Sequence, residues 1–214
     1  EMCIRDRDSM TRRARDPETG EIYKVPANIS YDEWLKRDKN IIREKYAMDT
    51  ERIRNRVLKD EAVIAKRKFE TAVVYDSDGK IVLQKKGGYN YVEFTDEETL
   101  LFKDKIMTHN HPLGSTFSPD DIYMLINNEL QEIRATGCYG TYTLRRNENI
   151  NLMPEQTVFE NEFNEIMNDK FDDYYKLYKD GILSKKEANF YLLHHTMDDL
   201  NKKYMLDYRF VKED

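Results

Sequence analysis

Hydrophobic positions divide the chain into four zones, and the first two are dominated by polar and charged residues. Up to about residue 28 the chain is interrupted by Pro17, Gly20 and Pro26, which predict turns or a short hairpin. Ser30 with Glu33 then forms a capping box, and no glycine or proline follows as far as about residue 66. An interrupted apolar stripe and dense charge predict one or two solvated helices there, serving as a linker.

The third zone, residues 67–150, alternates short apolar runs with turn signals. KFETAVVYDSDGKIVLQ predicts a hairpin, GGYNYVEF a further extended piece, KIMTHNHP a buried strand, and YGTYTLRR another strand. Thr95, with Glu98 at the box position, and Ser118, followed by Pro119, are candidate N-caps of two helices. After the second cap, helical spacing continues to Gly137 through Ile122, Leu125, Ile126, Leu130 and Ile133. Mixed strands and helices predict an α/β fold.

The fourth zone, residues 151–214, is again mainly helical. One apolar stripe comprises Val158, Phe159, Phe163, Ile166 and Met167. A second helix is predicted to begin at Ser184, where Glu187 completes another capping box. The tail YMLDYRFV is a candidate closing strand. We therefore expect a helical extension that ends in a strand.

Composition narrows the classes of function. The net charge of −6 offers no basic footprint for nucleic acid. No apolar run approaches the roughly 20 residues that span a membrane, and there is no signal-peptide core. The two cysteines are far apart and form no CxxC motif, which argues against a disulfide framework. Because the chain begins with Glu1, we expect it to be part of a longer polypeptide, and residues 1 to about 9 receive no functional weight.

Two of the four histidines, His109 and His111, stand two residues apart at the end of the predicted buried strand. Residues i and i+2 of a strand point the same way, so both imidazoles can face one point. Asp121 lies in the first turn of the following helix, where the chain folds back. Two nitrogens and a carboxylate suit zinc, and three protein ligands leave the fourth position for water, as in catalytic sites. Such a site also needs a general base that does not bind the metal.

The segment His109-Asn110-His111-Pro112, followed by Ser118-Pro119-Asp120-Asp121, resembles the motif of the JAB/MPN (JAMM) metalloproteases, in the HNHP variant of RadC and phage members. The resemblance covers about residues 67–150 and implies a deaminase-like mixed sheet flanked by helices. It implies zinc ligands at His109, His111 and Asp121, oxyanion support from Ser118, and hydrolysis of a peptide or isopeptide bond. Six residues separate His111 from Ser118, one fewer than the family's usual spacing.

The family motif also implies an upstream glutamate as general acid and base. Glu70 is favoured, because it opens an apolar strand and the family takes this residue from its first strand. Glu93, Glu97 and Glu98 are the alternatives.

A second segment, RRARDPETGEIYKVPANISYDEW, resembles the C-terminal end of the Mu-type phage head-morphogenesis family, with Tyr31 and Trp34 matching its ending. This resemblance implies that the chain is part of a phage minor head protein. In that protein, residues 1–29 end an upstream domain and residues 30–66 form a charged helical linker. Residues 67–150 form a metallopeptidase domain, and residues 151–214 form a helical extension. It implies head or portal proteins as further partners, and the bacterial host cytoplasm or the virion as location. Neither membrane nor nucleic acid is expected as a partner.

Simpler interpretations accompany each of these hypotheses. Ser118 and Asp121 also suit plain helix capping. His194 and His195 diverge on a helix and are expected to be structural, and the Asp76–Gly79 segment closes too soon for a calcium loop. The alternative function is a structural phage head protein whose JAMM-like domain binds without cutting.

Overall fold

The computed structural model describes residues 11–15, 22–26 and 53–212. Strands β1 (Thr11–Arg15) and β2 (Ile22–Pro26) pair antiparallel from Thr11 opposite Pro26 to Arg15 opposite Ile22. This pairing confirms the predicted hairpin. The capping box at Ser30 and the predicted match at Tyr31 and Trp34 lie outside the described residues.

Residues 52–214 form a separate unit from the segment that carries β1 and β2. Its elements, in chain order, are α1 (residues 53–64), β3 (Thr71–Tyr75), β4 (Ile81–Lys86), α2 (Asp96–Thr99), β5 (Ile106–Asn110), α3 (Pro119–Asn127), β6 (Glu132–Gly137), β7 (Gly140–Arg145), a 3-10 helix (Glu148–Leu152), α4 (Gln156–Lys179), α5 (Lys185–Tyr204) and β8 (Asp207–Lys212). None of the described helices is both long and apolar enough to cross a membrane.

Six strands of this unit form one sheet in the order β4-β3-β5-β6-β7-β8. β5 and β6 run parallel, and every other neighbouring pair is antiparallel. The α3 helix connects the two parallel strands, as a parallel pair requires a crossover. The structure confirms an α/β fold with a mixed sheet flanked by helices.

One face of the sheet is covered by α1. Ile53 and Val57 of this helix pack in an apolar cluster with Val73, Tyr75 and Ile106 of β3 and β5. Beside this cluster is a buried network of charges, in which Arg134 of β6 contacts Glu61 of α1 at 2.6 Å and Glu132 at 2.7 Å. Buried charges are tolerated when each is paired and hydrogen bonded.

The other face carries the main core and is covered by α3, α4 and α5. The strands contribute Val74, Met107, Ile133, Ala135 and Leu144, and the helices contribute Leu125, Phe159, Phe163, Met197 and Leu200. The predicted closing strand is confirmed as β8, which pairs antiparallel with β7. Residues 151–212 therefore share the sheet and the core with the preceding segment.

The helix that begins after Ser118 was predicted to reach Gly137 and ends instead at Asn127. The reason is a local reversal at Glu129, whose φ of 51° is left-handed. Leu130 then donates its N–H to the Leu125 carbonyl at 3.0 Å, a bond that closes the helix C-terminus. Leu130 and Ile133 are still buried, but Ile133 reaches the core from β6.

The predicted extended piece after β4 was also wrong, because residues 87–95 form no strand. The Gly88 N–H donates to the Tyr91 carbonyl at 2.8 Å and folds the chain back. A Cβ at Gly87 would stand 2.0 Å from the same carbonyl oxygen, so only glycine allows this approach.

Candidate metal centre and active site

The site forms where β5 ends and α3 begins. Buried β5 presents His109 on the face covered by α3, and the chain continues through His111 into a loop that returns at Ser118. Ser118 is the N-cap of α3 and Pro119 its first residue, as predicted. Asp121 occupies the third position of the helix, directly above the ends of the histidine side chains. The loop of six residues between His111 and Ser118 is long enough for this return.

The ligand atoms of the three predicted metal-binding residues converge. Nε2 of His109 lies 2.8 Å from Nε2 of His111 and 3.1 Å from Oδ1 of Asp121. Nε2 of His111 lies 3.5 Å from Oδ2 of Asp121. One ligand atom from each residue falls within 4.8 Å of the others, and no further such group occurs among the residues that the structure describes.

The ring of His111 is oriented for metal binding by a backbone contact. Its Nδ1 donates to the Ser115 carbonyl at 2.9 Å, because a carbonyl oxygen can only accept. With the proton held on Nδ1, the lone pair of Nε2 faces the cluster, the usual arrangement of a histidine ligand. The Nδ1 of His109 is buried without a hydrogen-bond partner. The donor set, two imidazole nitrogens and one carboxylate oxygen directed at one point, could therefore hold a metal ion.

Charges within the cluster displace the pKa values of its members. Burial alone would raise the pKa of Asp121, but the two imidazoles and the Ser118 N–H hold it well below its usual range. Burial alone would lower the pKa of His109, but Asp121 and Glu70 raise it. Burial and the His109 ring lower the pKa of His111. Because histidine binds a metal ion through a neutral ring nitrogen, metal binding at this cluster competes with protonation of the imidazoles.

Ser118 and Asp121 form a complete capping box. The Asp121 carboxylate accepts from the Ser118 N–H and hydroxyl, both at 2.8 Å, while the Asp121 N–H donates to the Ser118 hydroxyl at 3.2 Å. The capping interpretation is therefore correct, and the same contacts hold the Asp121 carboxylate beside the histidines. Asp120, the neighbouring acid, instead accepts from Gln156 of α4 at 2.8 Å.

Glu70 is the predicted acid or base that shares a cavity with these three residues. It stands immediately before β3, is 8% exposed, and burial raises the pKa of its carboxyl to about 7. Its backbone pairs with the glycines after β4, accepting from Gly87 and donating to Gly88, both at 2.8 Å. Glu93 is exposed, and Glu98 of α2 pairs with Lys85. Neither of them lines the cavity.

The cavity itself has a volume of about 370 Å³. Its polar side is formed by Glu70, His109, His111, Ser118 and Asp121, and its apolar side by Phe94, Met107, Phe117, Met124, Phe163 and Leu193. Phe163 and Leu193 belong to α4 and α5, so the C-terminal helices contribute to the wall. Concave sites with apolar walls and a few converging polar groups are typical of ligand-binding pockets.

Three side chains that support the loop of this site, Thr116, Tyr208 and His194, were not predicted from the sequence. Thr116, in the loop after His111, has its hydroxyl 3.0 Å from that of Tyr208 on β8, which in turn lies 3.1 Å from Nδ1 of His194. These contacts join residues 92 and 14 positions apart, so no local pattern signals them. His195, the other member of the second histidine pair, contacts the Tyr174 hydroxyl.

The turn at Asp76 has the local role that the sequence predicted. The Asp76 carboxylate accepts from the backbone N–H groups of Asp78 at 3.0 Å and Lys80 at 2.9 Å. These bonds close the turn between β3 and β4.

Comparison of the chain with protein-family models, with curated proteins and with solved structures finds no match.

Proposed function

We propose that this chain is a zinc-dependent metallopeptidase of the JAMM type, which hydrolyses a peptide or isopeptide bond. The observation that carries the proposal is the convergence of His109, His111 and Asp121 within 4.8 Å, in a cavity also lined by Glu70. Neither a helix cap nor a histidine pair by itself would require a buried carboxylic acid in the same cavity. A perturbed acid beside a set of metal ligands is typical of active sites.

In this proposal His109, His111 and Asp121 hold the zinc ion. Bound zinc supplies Lewis acidity, which lowers the pKa of a water molecule to about 7 and makes a nucleophile available. Glu70 accepts a proton from the attacking water on its carboxylate and delivers it to the leaving nitrogen. In the metal-free site burial raises the pKa of the Glu70 carboxyl to about 7, and a carboxyl near neutrality can both accept and donate a proton.

Ser118 is proposed to act on the oxyanion, as the family resemblance implies. Its side chain is exposed to the cavity, while its hydroxyl donates to Asp121 at 2.8 Å. Rotation of this hydroxyl toward a substrate carbonyl would exchange that bond for one to the oxyanion. The backbone N–H of Ser118 would continue to hold Asp121.

The finer fold and the biological setting belong to the same proposal. We propose a JAMM, deaminase-like arrangement of the six-stranded sheet, joined to the C-terminal end of a phage minor head protein. The substrate would then be a protein or peptide, with phage head or portal proteins as partners. The setting would be the bacterial host cytoplasm or the virion.

Metal analysis and hydrolysis test the proposal together. We expect about one zinc per purified chain, loss of that zinc in His109→Ala, and its retention in His195→Ala, a matched histidine control on α5. Glu70→Gln should keep the zinc and lower hydrolysis of head-protein or ubiquitin-like substrates by about 10²- to 10⁴-fold. Purified wild-type protein that contains no zinc, with the same metal content in His109→Ala, would refute the metal site.

A binding module without turnover is the second candidate. It is favoured by the Ser118 hydroxyl, which donates to Asp121 at 2.8 Å and so serves the capping box. This candidate predicts zinc binding that depends on His109, together with partner binding that Glu70→Gln leaves unchanged. Zinc-loaded protein that captures a head protein intact would favour it over the peptidase.

A further inference from the structure

Asn110, the residue between the two histidines, directs its side chain to the opposite face of β5 and is completely buried. Its Oδ1 accepts from the backbone N–H of Thr71 at 2.8 Å. Its Nδ2 donates to the backbone carbonyls of Arg67 and Phe69, each at 3.3 Å. One side-chain amide thus binds three backbone groups across a separation of about 40 residues in sequence.

These three backbone groups belong to residues on either side of Glu70 in the sequence: Arg67 and Phe69 before it, and Thr71 after it. The ladder between β3 and β5 ends at the pair Ala72–His109, so the next residue pair would be Thr71 with Asn110. Beyond the end of the ladder, hydrogen bonds from the Asn110 side chain hold the Glu70 segment to β5. On its other side, the segment is held by the Glu70 backbone bonds to Gly87 and Gly88, which follow β4.

We propose that Asn110 is a positioning residue that holds the segment carrying Glu70. The proposed acid and the proposed metal ligands are then positioned by the same strand, β5. β5 presents His109 to the cavity, ends at the turn into His111, and grips the Glu70 segment with Asn110 on its other face. A catalytic acid must be held within a fraction of an ångström of its working position. The inference rests on the function proposed above for Glu70.

Amide hydrogen exchange tests the positioning without requiring any substrate. In Asn110→Ala, exchange at the Thr71 N–H should accelerate by about 10- to 100-fold, the effect of losing one buried hydrogen bond locally. Thr108→Val is the matched control, because Thr108 is on the same face of β5, equally buried, and donates to Glu61 at 2.7 Å instead. It should leave exchange at Thr71 unchanged.

Zinc content and steady-state kinetics supply the second measurement. Both variants should bind about one zinc per chain. Asn110→Ala should lower kcat by about 10- to 100-fold with KM unchanged, because a small misplacement of the acid costs that much. Thr108→Val should retain the wild-type kcat. Asn110→Ser is the milder replacement if Asn110→Ala does not fold.

The outcomes separate this inference from the proposed function. Unchanged exchange at Thr71 in a folded Asn110 variant overturns the inference, as does equal acceleration in Thr108→Val. Zinc-loaded wild-type protein without hydrolysis would count against the peptidase, while exchange at Thr71 would still decide whether Asn110 holds the Glu70 segment. Loss of zinc in Asn110→Ala would show that the residue supports the ligands instead.

Discussion

The ionisation of Glu70 should be visible in the stability of the metal-free protein. Burial raises the pKa of its carboxyl from 4.5 to about 7, so the folded state binds the proton more tightly than the unfolded state. This stabilisation is present below pH 4.5 and is lost as the pH rises to about 7. In chelator-treated protein, Glu70→Gln should therefore be more stable than wild type at pH 8, by about 1–3 kcal/mol.

Urea unfolding at pH 8 and at pH 5 measures this difference. The gap between Glu70→Gln and wild type should narrow at pH 5, where the folded wild type is already protonated at Glu70. Glu93→Gln, at an exposed position after the Gly87–Gly88 turn, should leave stability within about 0.5 kcal/mol of wild type at both values. A gap that does not change with pH would contradict the assignment of a buried, titrating Glu70.

At the scale of elements, β8 fastens the loop that follows His111. The Tyr208 hydroxyl lies between Thr116 and His194, and the Tyr208 ring packs against Phe117 and Tyr142. Tyr208→Phe keeps the ring and removes the hydroxyl, leaving two polar groups without their partner. The free energy of unfolding should fall by about 1–2 kcal/mol.

Chemical denaturation of Tyr208→Phe checks this link, with zinc affinity as the second measurement. Zinc should bind more weakly, because His111 is oriented by Ser115, the neighbour of Thr116. Tyr175→Phe, a change at a 47% exposed tyrosine of α4, is the matched control and should change neither quantity. Unaltered stability in Tyr208→Phe would mean that β8 holds the loop through packing alone.

At the scale of the whole molecule, buried charges join α1 to the sheet. Glu61 receives two bonds from Arg134, at 2.6 and 3.0 Å, and Arg134 also bonds Glu132. Replacing Arg134 by Met would leave the buried Glu61 carboxylate without its ion-pair partner, while Glu132 would keep its bond from Arg145 at 2.8 Å. Because an uncompensated buried charge is costly, Arg134→Met should lower the free energy of unfolding by about 3–5 kcal/mol.

Denaturant titration followed by circular dichroism tests this prediction. The control is Lys103→Met, which removes an exposed ion pair with Glu129 and should leave the midpoint nearly unchanged. Similar midpoints for the two variants would show that α1 docks through Ile53 and Val57 rather than through the charges.

Much of the local structure could be predicted, because its causes are local. The capping boxes at Thr95, Ser118 and Ser184 mark the starts of α2, α3 and α5, as each needs only a cap and an acid three residues later. The β3–β4 hairpin follows from its turn residues. The helical spacing of apolar residues predicted the wrong structure after Asn127, because the left-handed backbone at Glu129 follows the end of α3 and Ile133 lies in β6 instead.

For the candidate site, the sequence by itself determined the donor types and their local directions: two imidazoles at the end of a buried strand and a carboxylate in a capped first turn. Periodicity and capping act over a few residues, so they can be derived from the chain alone. Only the tertiary structure decided that Glu70, rather than Glu93, lines the cavity with them, and that Asn110 and Tyr208 hold the surrounding segments. These outcomes depend on burial and on hydrogen bonds between distant segments, and such contacts exist only once the sheet has assembled.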